Sequence, residues 1–236
     1  MNPPLIGLVL DESPGQPDGS GFSQRPYYAL RKDYFAAIER AGAVPIGVSY
    51  SWRSFEALLD VCDGWIVPGA DYRFESAWYV NPPPGAVMIA TERRDFERRA
   101  VAKLIADDRP LFGICNGMQL IAGVNGGRMT YREPAPGDAV VHYGANAAHP
   151  IEVAPNTRLA RILAPGAYSV NSTHKEHVVE PGRDVAITAR SPDGGVEALE
   201  MPGKFFVLGV QWHPELDAAG QALFEAFVAA VRARNA

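Results

Sequence analysis

Cysteine is scarce in this chain, with only Cys62 and Cys115 among 236 residues. Two thiols build no disulfide framework, so a cytoplasmic setting is the default expectation. No run of 18 apolar residues occurs, and no membrane-spanning helix is expected. The opening Met1-Asn2-Pro3-Pro4 also lacks the basic-then-apolar pattern of a secretory signal. Positive charge is in deficit: 22 Lys and Arg against 27 Asp and Glu leave a net charge of −5 and a pI near 5.6. That excludes the basic footprint of a protein that binds nucleic acid or an anionic membrane. The five histidines and two cysteines do not stand at zinc-ligand spacing, so neither a metal nor any other cofactor is expected. Internal repeats, low-complexity tracts and an interdomain linker are missing too, and residues 1–236 read as one domain. Apolar residues are plentiful, at 47%, which is enough for a sizeable core.

The first half alternates strands with helices. Short apolar runs at Leu5–Leu10, Val44–Val48, Trp65–Val67 and Pro110–Cys115 have the composition of buried parallel strands. Between them, helical spacing predicts helices at Tyr27–Ala41, Phe55–Leu59 and Glu92–Ala106, the first stopped by Gly42. Repeated strand, helix, strand implies a parallel sheet covered on both faces, with ligands gathering at the carboxyl ends of the strands. The second half is richer in β structure. Strands are expected at Ile151–Val153, Ala167–Asn171, Val185–Arg190, Val196–Met201 and Phe205–Gln211, with a hairpin turn at Ser191–Gly195 and a closing helix at Ala218–Ala230. Asp11–Ser23, Tyr72–Val87 and Pro134–Ala148 read as loops. The charge run Glu92–Arg99 reads as a solvated helix face with opposite charges at helical spacing.

Chemistry concentrates in two places. Gly113-Ile114-Cys115-Asn116-Gly117 is the cysteine form of a nucleophile elbow, in which small flanking residues permit a sharp strand-to-helix turn that lifts the side chain out of the sheet. A helix starting at Asn116 puts its positive end beside the sulfur and favours thiolate. Far downstream, Gly209-Val210-Gln211-Trp212-His213-Pro214-Glu215 supplies a base and a carboxylate two residues apart, a spacing that along a strand places both on one face. Cys115 would attack an amide carbonyl, His213 would move the proton, and Glu215 would orient the imidazole. The N–H of Asn116 is a natural oxyanion donor, and one such donor is worth roughly 3–4 kcal/mol in other enzymes. Cys62, among Leu58, Leu59 and Val61, reads as a buried apolar residue.

Taken with Val170-Asn171-Ser172-Thr173-His174 and the Val67-Pro68-Gly69 turn, these motifs resemble the class I glutamine amidotransferase-like superfamily, over nearly the whole chain. Within it they are most similar to the stand-alone peptidase C26 branch, the γ-glutamyl-γ-aminobutyrate hydrolase-like proteins. The resemblance implies a single-domain α/β fold of flavodoxin-like type, a mostly parallel central sheet flanked by helices with a β-rich second half. It implies a Cys–His–Glu triad at Cys115, His213 and Glu215, and a second oxyanion donor at Gly69 or Ala70, where many relatives carry a further glycine. Gln119 would contact the glutamyl part of the substrate or pack at the helix start. Asn171, Ser172 and His174 correspond to the substrate-side loop, although Lys175-Glu176 departs from the branch's usual residues and would alter the pocket rim or be solvated.

The function expected is hydrolysis of the γ-glutamyl amide bond of a small γ-glutamylated amine or amino acid through a thioester. The alternative is a glutaminase subunit that passes ammonia to a separate synthase partner. A third reading is a non-enzymatic binding protein that kept the fold, which the intact set of Cys115, His213 and Glu215 argues against, and a transferase variant would use the same residues with another acceptor. The substrate is the one partner expected in every version, with room for a homodimer. The aromatic residues Tyr72, Phe74, Trp78 and Tyr79 either line the pocket or anchor their loop. Arg73 and Arg132 are candidates to meet a substrate carboxylate. His142, His149 and His177 read as structural or exposed.

Overall fold

A computed structural model describes residues 2–82, 91–135, 137–144 and 146–234. In chain order its first half contains β1 (Leu5–Val9), β2 (Asp11–Ser13), β3 (Tyr27–Ala29), α1 (Lys32–Arg40), β4 (Val44–Val48), α2 (Trp52–Leu59), β5 (Gly64–Val67), β6 (Tyr79–Asn81), α3 (Glu92–Ala106), β7 (Leu111–Ile114) and α4 (Asn116–Val124). The second half adds β8 (Arg128–Tyr131), β9 (Ala148–Val153), α5 (Arg158–Leu163), β10 (Gly166–Asn171), β11 (Glu176–Glu180), β12 (Ala186–Arg190), β13 (Val196–Glu200), β14 (Val207–Val210) and α6 (Gln221–Arg234).

Nine strands form the central sheet, in the order β10-β9-β12-β13-β14-β7-β5-β1-β4. The run β14-β7-β5-β1-β4 is parallel, and β13, β12, β9 and β10 extend it antiparallel. Alternation along the parallel strands divides the core in two. Ile66, Phe112, Leu208 and Val210 face α1, α5 and α6, whereas Trp65, Val67, Leu111 and Val207 face α2, α3 and α4. The period of two therefore buries both faces, which is why these strands read as continuous apolar runs. This is the expected α/β architecture, a mostly parallel sheet between helical layers. Among the described residues, no helix is long and apolar enough to cross a membrane.

Several local expectations are corrected. Tyr27–Ala41 is not one helix: Tyr27–Ala29 pairs with Asp11–Ser13 as a hairpin, and Arg31 is still extended (φ −61°, ψ 138°) before α1 begins. Tertiary pairing, helped by the edge-to-face contact of Tyr28 on Tyr50, outweighs the helical spacing there. Strands β6, β8 and β11 form a second, small sheet across stretches that carry no clear alternation. Helix α5 went unpredicted although Thr157 caps it, its side chain accepting from Ala160 N–H. Of the expected Tyr72–Val87 loop, residues 83–87 lie outside the described residues.

Candidate active site

Strand order decides the site. Because β14, β7 and β5 are adjacent and parallel, the segments leaving their carboxyl ends must meet: Gln211–Glu215 after β14, Cys115 after β7 and Pro68-Gly69 after β5. Residues nearly one hundred positions apart thus come together on one rim, where ligands collect in such sheets.

Cys115 occupies a backbone conformation that L residues rarely adopt, φ 54° and ψ −107°, at a cost of about 1–3 kcal/mol. The surroundings over-determine it. Its N–H donates to Val210 O at 2.7 Å, closing the β7–β14 ladder, and its carbonyl accepts from Met118 N–H at 3.0 Å to start α4. Gly117 permits the turn, since a Cβ there would stand 2.1 Å from Val67 O. The sulfur, on a residue 8% exposed, accepts a hydrogen bond from Gln211 Nε2 at 3.5 Å.

His213 faces Cys115 across the Gly69 turn, where a Cβ on Gly69 would lie 3.5 Å from both Cys115 Cβ and His213 Nε2, and its Nδ1 is hydrogen-bonded to Glu215 Oε1 at 2.7 Å. Burial opposes charge on the ring, but the hydrogen bonds and charges of Cys115 and Glu215 outweigh it and raise the imidazole to about 10. Glu215 is itself buried and takes a second bond from Arg31 Nη2 at 3.1 Å. Tyr34 Oη lies 3.3 Å from His213 Nδ1 and accepts the Gly69 N–H at 3.3 Å. The His213 backbone is clamped by Asn171, whose Oδ1 accepts from His213 N–H at 3.0 Å while its Nδ2 donates to His213 O at 2.8 Å.

The Gly69 turn closes against the pair. A Cβ on Gly69 would meet His213 Cε1 at 2.8 Å, so only glycine allows this approach. Its carbonyl accepts from Arg93 Nη2 at 2.9 Å. Arg93 also donates to Glu97 at 2.9 Å and forms an ion pair with Asp11 at 2.6 Å, and Tyr72 donates to Glu97 at 2.5 Å. Burial disfavours charge on Arg93, but Glu97 and Asp11 more than offset it and keep the guanidinium protonated. The run Glu92–Arg99 is therefore solvated only in part, along Glu92, Asp95, Arg98 and Arg99. Arg93, Arg94 and Glu97 are buried, and α3 turns an ion pair inward to hold the turn beside Cys115.

A family model for Peptidase C26 matches residues 4–215. The chain belongs to the peptidase C26 family. It is 30% identical to a glutamine amidotransferase-like protein of Rickettsia prowazekii, over 90% of this chain and 91% of that one. It is 28% identical to the γ-glutamyl-γ-aminobutyrate hydrolase of Escherichia coli K12, over 98% and 94%. In fold it is similar to the glutaminase domain of Trypanosoma brucei CTPS, with a TM-score of 0.67 and 18% identity across 98% of this chain and 94% of that one. Membership makes the chain a glutamine-amidotransferase-like hydrolase of family C26.

In this C26 protein, Cys115 and His213 open onto a cavity of about 690 Å³ also lined by Gln119, Tyr72, Arg73 and His174. Gln119 spends its amide on Glu176 O and Gln211 Oε1, both at 3.1 Å. Asn171 and Ser172 stand behind the wall rather than on it: Asn171 holds His213, and Ser172 Oγ donates to His142 O at 2.8 Å. Lys175 and Glu176 both reach the cavity, Lys175 paired with Glu133 and Glu176 accepting from Tyr79 at 2.7 Å. Arg132 is spent on Asp138 and Asp193, which leaves Arg73 as the arginine of the two at the cavity. Of the four loop aromatics only Tyr72 lines it, while Phe74 stacks on Trp78 at 5.1 Å to anchor the segment. Sequence reading missed Arg31, Tyr34, Arg93 and Gln211. Gln211 had a signal, since it lies two residues before His213 on the same face; the others come from helices and loops that only folding brings near.

Proposed function

We propose that the chain hydrolyses the γ-glutamyl amide bond of a small γ-glutamylated amine or amino acid and releases glutamate. The observation that carries this reading is Cys115 at a strained elbow on the cavity, facing a His213 whose Nδ1 is hydrogen-bonded to Glu215. Cys115 Sγ bonds to the γ-carbonyl carbon, and the carbonyl oxygen takes up the negative charge. That charge meets the N–H of Asn116 and the Gly69-Ala70 turn. Gly69 N–H already donates to Tyr34, so Ala70 N–H is the donor the turn has left to offer. The C–N bond then breaks as His213 gives its proton to the departing amine, leaving a thioester. Water adds to the thioester with His213 taking its proton, the C–S bond breaks, and glutamate leaves with the thiolate regenerated. Glu215 keeps Nδ1 protonated throughout. Arg73, which lines the cavity, would meet a substrate carboxylate.

The test is glutamate release from γ-glutamyl-γ-aminobutyrate, γ-glutamyl-putrescine, γ-glutamyl amino acids and free glutamine, each beside Cys115→Ala. Turnover of one γ-glutamyl amine that vanishes in Cys115→Ala is the expected result. Turnover that survives the substitution overturns the nucleophile, and activity confined to glutamine points instead to a glutaminase that serves a synthase.

A further inference from the structure

Four of the five histidines, none of them His213, gather on the far side of the cavity wall. His142 comes from the loop before β9, His149 from β9, His174 from the segment after β10 and His177 from β11, and Glu197 of β13 lies among them. All five are buried, Glu197 completely. His142 Nδ1, His149 Nε2 and His174 Nε2 lie 3.5, 3.6 and 3.6 Å from one oxygen, Glu197 Oε1. One nitrogen from each of these histidines and one Glu197 oxygen fall within 4.8 Å of one another.

The outward-facing nitrogens fix what the inward-facing ones can be. His149 Nδ1 donates to Pro150 O and His174 Nδ1 to Glu176 O, both at 3.1 Å, and a carbonyl can only accept. His142 Nε2 lies 3.1 Å from Asp193 Oδ2, a carboxylate also held by Arg132 and Ser191. A ring with a single proton therefore carries it outward and turns a lone pair inward, onto a Glu197 carboxyl oxygen. Among the described residues, no donor reaches those three nitrogens or either Glu197 oxygen. Acceptors facing acceptors in a dry pocket attract nothing unless a cation stands between them.

We propose that His142, His149, His174 and Glu197 are the ligands of a single Zn²⁺-type cation. A tetrahedron with arms of about 2.0–2.1 Å has edges of about 3.3–3.4 Å, and the three nitrogen–Oε1 separations lie within a few tenths of that. Imidazole suits zinc, and outward hydrogen bonds to a carboxylate and backbone carbonyls are the usual support of metal-bound histidine. Four protein ligands leave no open position, so the ion is structural. It would tie the loop carrying His142, strand β9 and strand β13 to His174, which lines the substrate cavity, and so set the shape of that wall. His177 packs edge-on against His142 and close to His174, at 4.6 and 4.7 Å between ring centroids. The spacing of these residues in the sequence gave no hint of zinc; folding assembles the ligands from four separate segments.

The experiment is metal analysis of the untagged full chain after loading with Zn²⁺ and removal of excess, with Co²⁺ as an optical probe. Expected are one zinc per chain, tetrahedral cobalt absorption, and a thermal midpoint that zinc raises. Cys115→Ala keeps its zinc, His149→Ala loses it, and Asp193→Asn binds it about 10- to 100-fold more weakly while still folding. A wild-type chain that takes up no zinc overturns the proposal, with a proton on Glu197 then supplying the missing donor. Zinc that leaves in Cys115→Ala but stays in Asp193→Asn overturns it as well, by placing the ion at the reactive thiol.

Discussion

Arg93 joins a buried ion pair to the backbone beside Cys115, and replacing it separates stability from turnover. Arg93→Met removes two hydrogen bonds, to Glu97 and Gly69 O, and the ion pair with Asp11, and strands a fully buried Glu97 carboxylate. Breaking one side of a buried pair costs about 3–5 kcal/mol. For a chain of this length, each kcal/mol moves the thermal midpoint by about 2–4 °C, so a fall of about 6–20 °C is expected. Freed from its donor, the Gly69 carbonyl lets the turn drift, and a shift near 1 Å at a donor costs up to about 100-fold in kcat. The double variant Arg93→Met/Glu97→Met separates the two effects. Its remaining penalty is the Tyr72 hydroxyl left without an acceptor, about 1–3 kcal/mol, so most of the midpoint returns. Turnover does not return, because Gly69 O still has no partner. Differential scanning of unfolding beside glutamate release on the best substrate reads both quantities. A double variant that recovers kcat along with its midpoint refutes the positioning role, and an Arg93→Met midpoint equal to wild type refutes the buried-pair arithmetic.

Other perturbations have equally definite outcomes. Gly69→Ala drives a methyl to 2.8 Å from His213 Cε1; kcat should fall by about 100-fold with a stability loss of only about 1–3 kcal/mol, and an unaffected rate would show that the approach is not needed. Glu215→Gln should lower kcat by about 10²–10⁴-fold without abolishing it, and an unchanged rate in steady-state kinetics moves the orienting role elsewhere. His213 has its folded value raised to about 10 from an unfolded value of about 6.5. The stability it carries is therefore fully present below about pH 6.5 and lost as pH rises through about 10. Imidazole resonances followed by NMR should show His213 protonated at pH 8 in wild type and titrating lower in Cys115→Ala, where one raising partner is gone; a neutral ring at pH 8 in wild type contradicts the pairing.

The parallel strands, helix α3 and the Ser191–Gly195 hairpin were legible from residues alone. Each is specified by its own composition: apolar runs for strands buried on both faces, Thr91 and helical spacing for α3, Gly and Pro for the turn. Cys115, His213 and Glu215 were legible for the same reason, since each sits in a short motif whose geometry is local. The hairpin of β2 with β3, the small sheet of β6, β8 and β11, and the burial of Arg93 and Glu97 were not, because each depends on a partner distant in sequence. The charge run of α3 shows the limit most clearly. Locally it satisfies every rule for a wet helix face, yet Gly69 O, Asp11 and Tyr72 supply buried partners for Arg93 and Glu97 that no window of the sequence contains. The same holds for His142, His149, His174 and Glu197, dispersed along 56 positions and converged only by the pairing of β9, β12 and β13. Sequence by itself determined the elements whose physics is local and the short motifs they carry. Tertiary structure alone decided which strand ends are neighbours, and hence which side chains share a site, because that order follows from burying both faces of one sheet at once.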